Sequence, residues 1–235
     1  MKMRSSNPVL KTVRDKSRVS DRPVTYANVT YKTVFLVAVT GLVGMYVFQS
    51  IATGFDIMNS LLIGALIVGF ISVMVGVRSV RLSPYFAFIY AVSEGIVLGA
   101  ISKMFAYYYE GIVPTAITTT FIVLLVMLLL YSSGVIKVTH KFASFMVVAL
   151  ISVIIMSLLS LFIPFSGPFY YLVVGISAVL AALFLLLDFE MIKNSVEHGM
   201  DHRYGWILSL GLMVTLVWVY IEVLRLLAIF ASNRS

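Results

Sequence analysis

The chain has 235 residues, of which 61% are hydrophobic and only 11% charged, and its net charge is +7. Soluble domains carry ~45–50% apolar and ~25% charged residues, so this composition excludes a water-soluble globule along with disordered, collagen-like and disulfide-stapled classes. With no cysteine, thiol catalysis, cysteine-based metal sites and disulfides drop out as well.

Residues 1–32 differ from the rest. They hold eight basic side chains (Lys2, Arg4, Lys11, Arg14, Lys16, Arg18, Arg22, Lys32), two aspartates and almost no apolar run. No cleavage pattern follows, so this is not a secretory signal. The segment reads as a flexible cytoplasmic tail lying near anionic headgroups. Without aromatic interleaving or a helix-turn-helix pattern, the charges predict no nucleic-acid partner.

From residue 33 the sequence predicts an all-α transmembrane domain over 33–231, closed by a short C-terminal tail, 232–235. Seven stretches match the ~20 residues a bilayer crossing needs: 33–53, 57–77, 83–104, 112–132, 142–163, 168–192 and 205–231. Turn residues punctuate the breaks, among them Asp56, Pro84, Pro114, Pro164 and Gly167. The longest break, 193–204, is too short for a soluble domain. Lys and Arg set the orientation. Fourteen lie in the tail and the loops after the second, fourth and sixth spans; Lys103 and Arg234 lie on the opposite side, and Arg225 within the last span. The N-terminus is therefore expected in the cytoplasm and the C-terminus across the membrane.

An acidic side chain at the centre of a span costs ~2.5–3.5 kcal/mol on insertion scales, so each one demands a reason. Glu94, Asp188, Glu190 and Glu222 are the acids, with Arg225 the one cation in the buried range of a span. Helix rise puts Glu94 about 16 Å, Asp188 about 6 Å and Glu222 about 25 Å from the cytoplasmic end. Three carboxylates at successive depths suggest stations along a cation or proton path. The plainer alternative for Glu222 is neutralisation by Arg225, three residues on and on the same face. Asp188 and Glu190 point about 200° apart, so Glu190 is expected to reach for the inner interface. Glu94 adjoins Gly95 and Gly99, a small-xxx-small pair that favours close helix packing. A carboxyl group held out of water is easier to protonate. That could release Arg78 or Arg81 at the inner mouth, so pH gating is expected.

Weaker patterns carry less. Glu197, His198, Asp201 and His202 would put two histidines four apart on a helix, a metal-pair spacing, but a solvated polar loop explains them better. Tyr107, Tyr108 and Tyr109 read as an interfacial aromatic belt. No lysine follows Lys193, which excludes a retinal Schiff base in the last span. His140, His198 and His202 all fall in loops, against intramembrane zinc or serine–histidine chemistry. No enzyme and no cofactor are expected.

The runs YAVSEGIVLGAIS (90–102), LLLDFEMI (185–192) and GLMVTLVWVYIEVLRLLAIF (211–230) resemble the Bax inhibitor-1 family. With the Asn7-Pro8 start of the tail, they look most like its bacterial YccA-like branch. The resemblance covers essentially the whole chain. It implies seven helices with the last one central, placed in a cell inner (plasma) membrane. It also implies a pH-sensitive calcium leak, with links to stress tolerance and to membrane proteases.

Carried over by position, Asp188 matches the sixth-helix member of the family's pH-sensing acid pair, and Arg78, with Arg81 as alternative, matches an inner-mouth arginine that pairs with it. The seventh-helix partner departs from the pattern. Anchored on Arg225, that position is Thr215, while the acid present is Glu222, two turns on. Asp188 and Glu222 are separated by about 20 Å along the axis, too far to share a proton, so Glu94 and Glu222 are candidates for a rearranged site. The implied function is a cation leak, with Asp188, Glu94 and Glu222 as pH sensor, pathway and weak, transient calcium sites. The alternative is a non-conducting regulator of a partner membrane protein such as a protease.

Overall fold

The structure, a computed structural model, describes residues 22–50, 55–160, 162 and 167–232. The predicted tail up to residue 21 and residues 233–235 lie outside the described residues. Seven helices account for nearly everything described: α1 (Tyr26–Ser50), α2 (Phe55–Gly76), α3 (Ser83–Tyr108), α4 (Ile112–Ser132), α5 (His140–Leu159), α6 (Gly167–Glu197) and α7 (Tyr204–Ser232). Six are long and apolar enough to cross a membrane; in α2 the described apolar stretch is Leu61–Gly76. Hydrocarbon offers no partner for backbone N–H and C=O groups, so apolar spans of this length satisfy them internally as helices. The protein is a multi-pass membrane protein whose outward-facing side chains meet the lipid bilayer.

Two helices run five or more residues past their predicted ends, for the same reason. Hydropathy registers only the oily part of a helix, whereas both continue through the interface on polar contacts. Before α1, the Thr25 hydroxyl accepts from Asn28 N at 3.1 Å, an N-cap that satisfies one otherwise free amide. Residues 26–32, read above as tail, are therefore helical. Residues 22–24 are held too: Pro23 bridges Asp201, and Val24 N donates to Met200 O at 2.7 Å. At the other extreme, α6 continues to Glu197, with Lys193 and Glu197 paired at 3.9 Å. It stops before Gly199, which takes φ +60°, a left-handed conformation that glycine adopts readily.

The contacts fix how the helices run. Lys32 Nζ donates to His202 O at 2.8 Å and Ser209 Oγ to Val29 O at 3.0 Å, so α1 and α7 start at the same end. The α1–α3 pair is parallel, from Phe35 stacked on Phe88 to Phe48 beneath the Lys103 ammonium. Antiparallel α6–α7 contacts run from Ser177 with Glu222 to Phe184 with Trp218. Helix α7 touches α1, α2, α3, α4 and α6, and 67% of its apolar stretch is buried against 6% for α5.

Close approach of α1 and α3 depends on three glycines. A Cβ on Gly99 would lie 2.5 Å from Gly44 O, and one on Gly95 would lie 2.9 Å from Thr40 O. Backbone cannot yield cheaply there, so the small residues are a packing requirement. Gly99→Ala should lower stability by about 1–3 kcal/mol, read as a drop in the unfolding midpoint of the purified protein by circular dichroism. Gly64→Ala, where a Cβ meets nothing within 4 Å, should unfold like the wild type. Equal midpoints for the two variants would contradict a tight α1–α3 seam.

Candidate functional site

The acids sort by the helix each one faces. Glu222, on α7, has a side chain only 4% exposed. Its Oε1 accepts from Ser177 Oγ of α6 at 2.8 Å, Trp218 Nε1 at 3.2 Å and Arg225 Nη1 at 3.3 Å. Trp218 and Arg225 reach it because residues three and four apart share a helix face. Glu222 Oε2 is buried with no hydrogen-bond partner among the described residues. Arg225 is 45% exposed and borders a cavity of about 260 Å³ walled by Phe105, Tyr109, Tyr170 and Tyr171. The Glu222–Arg225 ion pair is thus formed through Oε1, while Oε2 takes no part in it.

Asp188 lies on the same seam, nearer the end where α7 begins. It faces Gly211, whose added Cβ would sit 3.9 Å from Asp188 Oδ1, and it interacts with the Thr215 hydroxyl. The Thr215 hydroxyl also donates to Gly211 O at a long 3.4 Å. Asp188 Oδ2 is buried without a partner among the described residues. The structure therefore brings together Asp188 and Thr215, the two positions that the family pattern pairs. Counting residues along α6 and α7 puts Asp188 and Glu222 roughly 15 Å apart, closer than depth alone predicts and still beyond direct contact.

The remaining acids go elsewhere. Glu94 accepts a hydrogen bond from Tyr90, one turn back on α3, and its Oε1 would lie 3.5 Å from a Cβ on Gly69 of α2. The rearranged Glu94–Glu222 site is not formed: the Glu94 face of α3 packs on α2, while Glu222 turns to α6. Glu190 turns to polar partners near the C-terminal ends of α4 and α6. Its Oε2 accepts from Tyr131 of α4 at 2.7 Å and its Oε1 from Asn194 at 3.2 Å. Because α6 has α4 on one side and α7 on another, both opposed carboxylates find protein neighbours.

Arg78 and Arg81 occupy the α2–α3 turn and are exposed; no ion pair joins either to Asp188 among the described residues. In the α6–α7 turn, His198 Nδ1 meets Asn194 O at 2.6 Å and His202 Nδ1 meets Asp201 at 3.3 Å. Among the described residues no group of three His, Asp or Glu side chains converges to hold a metal. Tyr107 and Tyr108 are exposed, edge to face, whereas Tyr109 packs against the core.

Comparison with protein families matches residues 7–232 to the family described as Bax inhibitor 1 like. The chain belongs to that family. No curated protein matches it. In this Bax inhibitor 1 like protein, the partners missed from sequence divide by distance along the chain. Tyr90 and Trp218 stand four residues before their acids, a spacing visible in advance. Ser177 lies forty-five positions before Glu222, and nothing local signals it.

Ser177→Ala should destabilise the fold by about 0.6–1.7 kcal/mol, the range for hydrogen bonds between membrane helices. Thermal unfolding in detergent would measure it. A midpoint identical to the wild type would mean that Ser177 does not support Glu222.

Proposed function

We propose that this protein conducts cations, calcium in particular, down their gradient through the seam between α6 and α7, under control of pH. The observation that carries this is Asp188, which faces Gly211 of α7 and whose Oδ2 is buried with no hydrogen-bond partner among the described residues. Such a site is costly to keep unless a proton or a cation visits it. Glu222 Oε2 repeats the condition further along the same seam. The two acids serve as successive stations, with the Arg225 cavity as the far mouth. Thr215, in place of a second acid, offers a hydroxyl to Asp188, so the sensor here is one carboxyl group and not a shared-proton pair. Glu94, on the α2–α3 side, supports packing and stands apart from the path. Arg78 and Arg81 at the α2–α3 turn are free to approach Asp188 in another state.

In this reading α7 is the central helix of seven spans, and no residue is assigned a catalytic role. The N-terminus is cytoplasmic in a cell inner membrane and the C-terminus lies opposite. The fourteen cations of one side support that orientation, as does the shared starting end of α1 and α7. A second reading, a stress regulator that binds a partner membrane protein, is favoured by α5. Among the described residues that helix touches only α6, leaving most of its surface for lipid or a partner.

Proteoliposomes loaded with a calcium dye test the proposal. Wild-type flux should differ severalfold between about pH 6 and 8. Asp188→Asn should remove that difference, because an amide cannot titrate, and Glu222→Gln should lower flux at every pH. A flat pH response removes the gating. Silent liposomes, with cellular function lost on deleting residues 1–21, favour the regulator.

A further inference from the structure

We propose that an anionic phospholipid seats one acyl chain in the lateral groove between α1 and α4, with its headgroup phosphate at Lys103. The groove encloses about 550 Å³ and is walled by α1, α3, α4 and α7. That volume falls in the ordinary range for small-molecule sites, ~300–1,000 Å³. Among the described residues α1 and α4 do not touch, so the gap between them opens sideways onto the bilayer.

The lining chooses an apolar occupant. Its hydroxyl groups are already used within the protein. Thr40 donates to Ala91 O at 2.8 Å, Thr120 to Ala116 O at 2.8 Å, and Ser102 pairs with Tyr220 at 2.7 Å. What remains is hydrocarbon surface from side chains such as Val37, Met45, Ile117 and Leu216. Among the described residues no carboxylate lines it, which separates this groove from the acid-bearing α6–α7 seam.

Length and charge choose a lipid. From Val37 to Gln49 the wall on α1 extends about 18 Å, close to the ~15 Å of one hydrocarbon leaflet. The polar end comes at the correct depth. Gln49 is exposed at the mouth, and Lys103 Nζ stands 4.8 Å from the centre of the Phe48 ring, itself part of the wall. Lys103 lies one turn before exposed Tyr107, at the level where a lysine reaches toward a lipid phosphate. A chain filling the groove would put its headgroup beside this cation.

Gly41 provides a clean test, because it lines the groove and a Cβ there meets nothing within 4 Å. Purified protein would be mixed with phosphatidylglycerol and phosphatidylethanolamine of identical acyl chains, and retained lipid read by native mass spectrometry. The wild type should retain phosphatidylglycerol over phosphatidylethanolamine by about fivefold, the effect of one cation near an anionic headgroup. Gly41→Phe should lose both lipids, Lys103→Gln should lose only the preference, and Gly64→Phe, on the lipid face outside the groove, should behave as the wild type. Circular dichroism of each variant checks that the helices remain folded. Full retention by folded Gly41→Phe, or an undiminished preference in Lys103→Gln, would overturn the proposal.

Discussion

A carboxylate removed from water must be compensated by donors, by a cation or by a proton, and that demand organises the interior of this protein. Glu222 is the fullest instance. Three donors converge on its Oε1 from two helices, which ties α6 to α7 at that level and sets their rotation about their own axes. Among the described residues the other oxygen has no donor, nor does Asp188 Oδ2 further along. Both orphaned atoms lie on one seam, and low local polarity makes each a strong attractor for positive charge.

Packing makes that seam possible. Glycines at 44, 95 and 99 draw α1 and α3 together until backbone nearly touches backbone. Against this pair α7 lies buried along most of its length, with Leu210, Met213 and Val217 closing the core beside Leu36, Ala87, Tyr90 and Ala91. On its other flank α7 meets α6, and α6 meets α4 through Tyr131 and Glu190. Helix α6 also carries α5, which adds little core. Stability is thus concentrated on one side, and Asp188 and Glu222 stand where the tightly packed half meets the looser one.

The end where α1 and α7 begin is tied by polar contacts suited to an interface. Lys32 donates both to Asn28 and to His202 O and stands over the Trp206 ring. Residues 22–24 pair with the α6–α7 turn beside it. A basic segment that hydropathy treats as an appendage is in this part a strut between the first and last helices.

Much of the architecture follows from composition: apolar runs of bilayer length must be helical, and their number, order and breaks can be read directly. The likeness of 90–102, 185–192 and 211–230 to one family held over residues 7–232. The near-neighbour pairs Glu222–Arg225 and Tyr90–Glu94 also follow from helical spacing, because three or four residues return to the same face. Which helix each acid faces does not. Depth along an axis is linear in residue number, but direction around it depends on neighbours distant in the chain. Tertiary packing alone turned Glu94 toward α2 and Glu190 toward α4, and placed Asp188 against Thr215 and Ser177 beneath Glu222.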